Sequence, residues 1–186
     1  MKTKKLLFLL IAITGISINA ANAQFAFKGQ WDLSASAGWI PSKGFNVTVG
    51  GEKALGDLYS AIHVKFNFMQ NQAKVDLPSM DHFNYQTYLI LADYNYSLAK
   101  FIPFPWAIQF HGGINLGYEN IPESKVPTIV IENKSKFVYG LNVGMQVEFT
   151  AAKNFSIYLE PQFLYNFNSS IRKGFYSTAL GVKYYL

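Results

Sequence analysis

From Gln30 to Leu186 apolar and polar residues alternate with a period of two. That period marks strands with one apolar and one polar face. The clearest stretch runs from Trp106 to Tyr118. Trp106, Ile108, Phe110, Gly112, Ile114, Leu116 and Tyr118 share one face, and Ala107, Gln109, His111, Gly113, Asn115 and Gly117 share the other. A helical period would mix these two sets. The same reading gives strands around Trp31–Trp39, Phe45–Val49, Ile62–Phe68, Phe137–Phe149, Phe155–Phe167 and Tyr176–Leu186. The segment from Tyr85 to Tyr96 fits either phase. We place Tyr88, Ile90, Ala92, Tyr94 and Tyr96 on its apolar face, which turns Asp93 and Asn95 the other way.

That makes eight strands, an even number. Their connections alternate. Short ones are expected near Lys53–Asp57, Ala99–Pro105 and Ala151–Asn154. Longer or more polar ones are expected near Gln70–Asp81, Glu119–Ser135 and Asn168–Lys173, with a short exception at Ile40–Lys43. Several strands reach membrane-crossing length, about 9–11 residues when tilted. Their polar faces carry mostly Gly, Ala, Ser, Asn and Gln. A water-facing surface, such as that of a secreted β-sandwich, would carry more Lys and Glu on shorter strands. Small polar residues instead suit the lumen of a narrow barrel that side chains must fill. Aromatic residues gather at strand ends: Trp31, Trp106, Phe149, Phe155 and Tyr184 at one rim, and Trp39, Phe68, Tyr118, Phe167 and Tyr176 at the other. The expected fold is all-β, an eight-stranded antiparallel transmembrane up-and-down β-barrel.

Composition sharpens this picture. The 186-residue chain is 50% hydrophobic and 17% aromatic but only 15% charged, against about 25% charged in soluble domains. Its mean hydropathy is only +0.09, too low for a bundle of spanning helices. The N-terminus reads as an export signal. Lys2, Lys4 and Lys5 precede the apolar run Leu6–Ile13, and Ala21-Asn22-Ala23 is a small-x-small cleavage site. Residues 1–23 are therefore expected to be a cleaved signal peptide and residues 24–186 the barrel. Removing three lysines lowers the net charge of +5 to +2, so the basic balance is no footprint of nucleic acid. The absence of cysteine excludes disulfides and thiolate metal sites.

Seven charged residues should point into the lumen: Asp32, Glu52, Lys65, Asp93, Glu148, Glu160 and Lys183. Buried charges must be paired, so we expect a structural network of ion pairs and hydrogen bonds. His63, His82 and His111 lack metal-ligand spacing. No serine lies near His111 on its face, so no nucleophile–His–acid arrangement is expected. We expect no catalytic residue, metal, cofactor or small-molecule substrate. Arg172 and Lys173 cap an outer loop. No basic stripe interleaved with aromatics points to direct nucleic-acid contact.

Gly112-Gly113, Gly117-Tyr118-Glu119, Lys136-Phe137-Val138-Tyr139-Gly140, Asn168-Ser169-Ser170-Ile171-Arg172-Lys173 and Gly181-Val182-Lys183 resemble the conjugal transfer protein TraO family of Bacteroidota conjugative elements. The resemblance also runs, more loosely, through Gly44–Leu55 and Tyr85–Leu98. It implies a structural outer-membrane component of a conjugative DNA-transfer apparatus of the type IV secretion kind. Its partners would be outer-membrane lipids and other proteins of that apparatus. A stand-alone small outer-membrane barrel for adhesion or membrane integrity, and a lipid-modifying outer-membrane enzyme, are the other two readings.

Overall fold

The computed structural model describes residues 29–41, 43–55, 60–77, 80–98, 101–102, 104–121 and 135–186, and of 74–77 and 80–82 the backbone alone. The expected signal peptide lies outside the described residues.

Eight antiparallel strands follow in chain order: β1 (Trp31–Ile40), β2 (Gly44–Ala54), β3 (Ser60–Leu77), β4 (Met80–Ser97), β5 (Trp106–Asn120), β6 (Ser135–Ala152), β7 (Phe155–Asn166) and β8 (Gly174–Tyr185). Each pairs with the next, and β1 pairs with β8 from Asp32↔Tyr185 to Trp39↔Thr178, closing the barrel. Closure leaves no unpaired strand edge, the condition for crossing lipid with strands.

Burial runs opposite to that of a soluble protein. Leu33, Val64, Ile90, Ile114, Leu141, Val143 and Leu180 are all about half exposed, and they face outward. Asn46, Thr48, Asn67, Asp93, Asn115 and Glu160 are buried inside. The phase assigned to β4 holds, with Tyr88, Ile90, Tyr94 and Tyr96 outside and Asp93 and Asn95 inside.

β1 begins and β8 finishes at one end of the barrel, the near end; the far end lies opposite. At the far end an aromatic girdle runs around the wall. Phe45 and Phe68 stand 5.9 Å apart between ring centroids, Phe68 and Tyr88 5.2 Å, Tyr118 and Phe137 5.9 Å, Tyr139 and Phe167 5.9 Å, and Phe163 and Tyr176 4.7 Å. Backbone pairing of Tyr88 with Tyr118 and of Trp39 with Phe45 continues the ring. At the near end Trp106 and Phe149 lie 4.9 Å apart, Phe155 pairs with Tyr184, and Lys53 Nζ sits 5.2 Å over the Trp31 ring. Trp31 and Trp39 mark the two girdles on one strand. Their separation spans roughly 20 Å along the barrel axis at ordinary strand rise and tilt.

Two expectations need correction. The connection expected near Gln70–Asp81 is strand for most of its length: β3 and β4 stay paired through Lys74↔His82 and again at Leu77↔Met80. Beyond the far girdle neither face needs to meet lipid, so pairing persists after the alternation has faded. The lumen is also not polar throughout. Ile40, Met69, Tyr85, Leu89, Leu91, Val138, Leu164 and Phe175 form a buried apolar cluster inside its far half. On β4 both faces are apolar there, which is why its sequence fits either phase.

Candidate functional site in the lumen

The charged side chains converge in the part of the lumen not filled by the apolar cluster. In the strand ladders Lys65, Gly50, Ser34 and Lys183 occupy one row across β3, β2, β1 and β8. The two small residues between the lysines leave room for both long side chains to lean inward.

Each lysine is held by two carboxylates. Lys65 Nζ lies 2.7 Å from Glu160 Oε1 on β7 and 2.8 Å from Asp93 Oδ2 on β4. Lys183 Nζ lies 3.2 Å from Glu52 Oε2 on β2 and 3.5 Å from Glu148 Oε2 on β6. These four carboxylates have further neighbours. Asn142 Nδ2 donates to Asp93, and Asn95 Nδ2 donates to Glu52 at 2.8 Å. Gln146 Nε2 donates to Glu148 at 3.0 Å, and the Tyr185 hydroxyl donates to it as well. His111 completes the first group, its Nε2 3.2 Å from Glu160 and its Nδ1 3.5 Å from Asp93. Asp32, the seventh residue expected in the lumen, is buried there, but its Oδ1 has no hydrogen-bond partner among the described residues.

Glycines set the fit. A Cβ on Gly144 would collide with the His111 ring, and one on Gly181 with the Tyr158 ring. The barrel is narrow enough that rings on one strand rest against bare backbone on another.

One contact has no counterpart in the sequence pattern. Ser34 Oγ lies 3.1 Å from His63 Nε2, and His63 Nδ1 lies 3.5 Å from Glu52 Oε2. The three come from β1, β3 and β2, with no motif to announce them. This is the connectivity of a nucleophile, base and orienting acid. The surroundings do not suit acyl transfer. Ser34 and His63 are buried among other lumen side chains. Both neighbouring strands are paired with β1 at Ser34, so the backbone there lends no free N–H to an oxyanion. Glu52 is also engaged by Lys183 and Asn95. Among the described residues no cluster of His, Cys, Asp or Glu is arranged to hold a metal ion.

At the far end a second constellation gathers, and no sequence motif joins its parts. The β7–β8 connection folds back onto β6. Asn168 Nδ2 donates to Phe137 O at 2.8 Å, while its Oδ1 accepts from Tyr139 N at 3.1 Å. The side-chain amide thus imitates one more rung of the ladder. Ser169 Oγ donates to the buried Glu119 at 2.6 Å and accepts from Arg172 N at 3.2 Å. Lys136 Nζ donates to Ser170 at 3.0 Å, and the Arg172 guanidinium sits 5.9 Å over the Phe175 ring.

This architecture defines a class, the small eight-stranded transmembrane β-barrels of outer membranes. The chain is similar to a major outer membrane protein from Thermus thermophilus, with a TM-score of 0.61 at 15% identity over 84% of this chain and 98% of that one. It is similar to the N-terminal β-barrel domain of Pseudomonas aeruginosa OprF, with a TM-score of 0.55 at 12% identity over 87% of this chain and all of that one. It is also similar to Ail, the attachment invasion locus protein of Yersinia pestis, in complex with the heparin analogue sucrose octasulfate. There the TM-score is 0.54 at 12% identity over 86% of this chain and all of that one. At these identities the likeness is one of fold. No family model and no curated protein matches the chain.

Proposed function

We propose that the chain is a stand-alone outer-membrane barrel that acts through the surface it displays, in attachment or in the integrity of the envelope, with no chemistry in its lumen. The observation that carries this reading is the filled lumen: two lysines clamped by four carboxylates, with an apolar cluster occupying the far half. Such an interior braces the wall and leaves the outer ends of the strands as the working surface. The likeness to Ail, an attachment invasion locus protein solved with a heparin analogue, supports the adhesive variant as an analogy of fold. The export signal read at residues 1–23 and the outward apolar wall agree with an outer-membrane location and with lipids as the first partner.

A second reading is a component of a conjugative DNA-transfer apparatus. It is favoured by one observation: the segments that resemble the TraO family come together. Glu119 pairs with Lys136 across β5 and β6, and Asn168, Ser169 and Ser170 dock on that same corner. Deleting the gene separates the two. The leading reading expects weaker surface attachment or greater sensitivity to detergents, with transfer of conjugative elements unchanged. Loss of transfer with an intact envelope would establish the second reading in its place.

A further inference from the structure

The far half of the lumen is apolar at its core but not at its rim. One lumen position beyond Met69 on β3, Leu89 on β4 and Leu164 on β7 stand Asn71, Thr87 and Asn166, and Asn71 pairs across the ladder with Tyr85. These four side chains make a polar collar between the apolar cluster and the far mouth. All four are completely buried. Yet the Tyr85 and Thr87 hydroxyls, and both amide atoms of Asn71 and of Asn166, have no hydrogen-bond partner among the described residues. Deeper in the lumen the amides are spent at one end. Asn67 donates to Thr48, Asn95 to Glu52, Asn115 to the Leu141 carbonyl and Asn142 to Asp93. Asn71 and Asn166 bond at neither end. Native structures leave few buried polar groups unmade, and each is costly. The collar therefore calls for donors and acceptors that the wall does not supply.

The β7–β8 turn roofs this collar. Ile171 packs partly buried onto the apolar cluster, and the Arg172 guanidinium lies 5.9 Å over the Phe175 ring. Side chains tie the turn down: Asn168 to the Phe137 and Tyr139 backbone, Ser169 to Glu119, and Lys136 to Ser170. These ties can release while the ladder of the wall stays paired.

We propose that the collar and the cluster beneath it bind a neutral amphipathic small molecule, with Ile171 as the stopper that the molecule displaces. An apolar ring or short chain takes the place of Ile171 on the cluster, and a hydroxyl or amide group meets the collar. Sites of this kind are mostly apolar with a few placed polar groups. A charged group at the collar would lack a counter-ion. Glu119 is bonded to Ser169, Lys136 is spent on Ser170, and Arg172 and Lys173 stay exposed. The molecule is held and not transformed. The inference rests on the barrel fold alone, whichever envelope role the protein has.

The test uses the full chain folded in phospholipid nanodiscs and follows side-chain methyl and amide signals by NMR. The probes are 2-naphthol, indole and octanamide, each neutral with an apolar body and a polar group. At least one should shift the Leu89, Leu164 and Ile171 methyls and the Asn71 and Asn166 amides saturably. Naphthalene should bind about fivefold more weakly than 2-naphthol, the worth of one net hydrogen bond. Asn71→Leu with Asn166→Leu should weaken binding about thirtyfold by the same rule. Ile171→Ala should tighten it severalfold, because no stopper has to leave. The proposal is overturned if shifts fall instead on the outward Leu33, Val64 and Ile90, which marks partition into lipid. It is overturned by equal binding in the double variant, or by no saturable shift from any of the three probes. Water contacts of Asn71 and Asn166 that persist at saturating probe mark ordered water only, and overturn it as well. Heat-modifiable mobility reports folding of each variant. Should the double variant fail to fold, Ile171→Ala decides: unchanged or weaker binding overturns the proposal.

Discussion

At the scale of single residues, the lumen is governed by the cost of burying charge. Lys65 neutralises two carboxylates at once. Replacing it with Met leaves Asp93 and Glu160 facing each other, and removing one side of a buried pair costs about 3–5 kcal/mol. Unfolding of Lys65→Met in detergent micelles by urea should show that loss. Adding Asp93→Asn and Glu160→Gln should recover much of it, because the uncompensated charges go too. Recovery that fails to appear would mean that the clamp stabilises through packing alone. Ser34 gives a second test. Its contact with His63 has the connectivity of an activated nucleophile, but its buried place implies that no acyl substrate reaches it. A fluorophosphonate probe should leave Ser34 unlabelled in the folded barrel, and labelling there would revive the enzymatic reading.

At the scale of elements, the β5–β6 pair and the β7–β8 connection form one unit. Asn168 replaces a missing rung with its side chain, and Ser169 occupies the buried Glu119 carboxylate. Asn168→Ala removes two hydrogen bonds at about 1 kcal/mol each. Ser169→Ala leaves Glu119 buried with one donor fewer. Both changes should loosen the turn while leaving the transmembrane wall intact. Limited trypsin digestion reads this directly, because Arg172 and Lys173 are exposed on that turn. Cleavage there should be slow in the wild type and faster in both variants. The long β3–β4 hairpin teaches a related lesson. Its outer part reads as a polar loop in the sequence because alternation records which faces meet lipid, not whether the backbone is paired.

At the scale of the whole molecule, the barrel is turned inside out relative to a soluble protein. Its wall between the two aromatic girdles is apolar on the outside, and its described carboxylates and two of its lysines are buried within. A cation placed mid-wall should be far costlier than one at a rim. Ile114→Arg, on an outward position between Trp106 and Tyr118, should destabilise the barrel by about 2–4 kcal/mol in bilayers. Lys153→Ala, beyond the near girdle, should cost almost nothing. Comparable losses from the two would contradict the position assigned to the lipid band.

The strands, their number and most of their facing were legible along the chain. Period-two alternation is a local property, and lipid on one side with a crowded lumen on the other imposes it residue by residue. Trp31 and Trp39, or Trp106 and Tyr118, could be assigned to rims for the same reason. Glu160 could be turned inward by parity alone, whereas for Asp93, on a segment that fits either phase, the cost of setting a carboxylate against lipid decides. Which charges meet was another matter. Lys183 reaches a carboxylate 131 residues away and Lys65 one 95 residues away, and those partners depend on closure of β1 on β8 and on the register of every ladder between them. The Ser34–His63–Glu52 contact, the apolar cluster around Leu89, Leu91 and Phe175, and the docking of Asn168 on β6 have the same origin. Alternation tells a side chain which face it occupies, but only the closed tertiary structure brings distant strands to a common depth and decides what that side chain meets there.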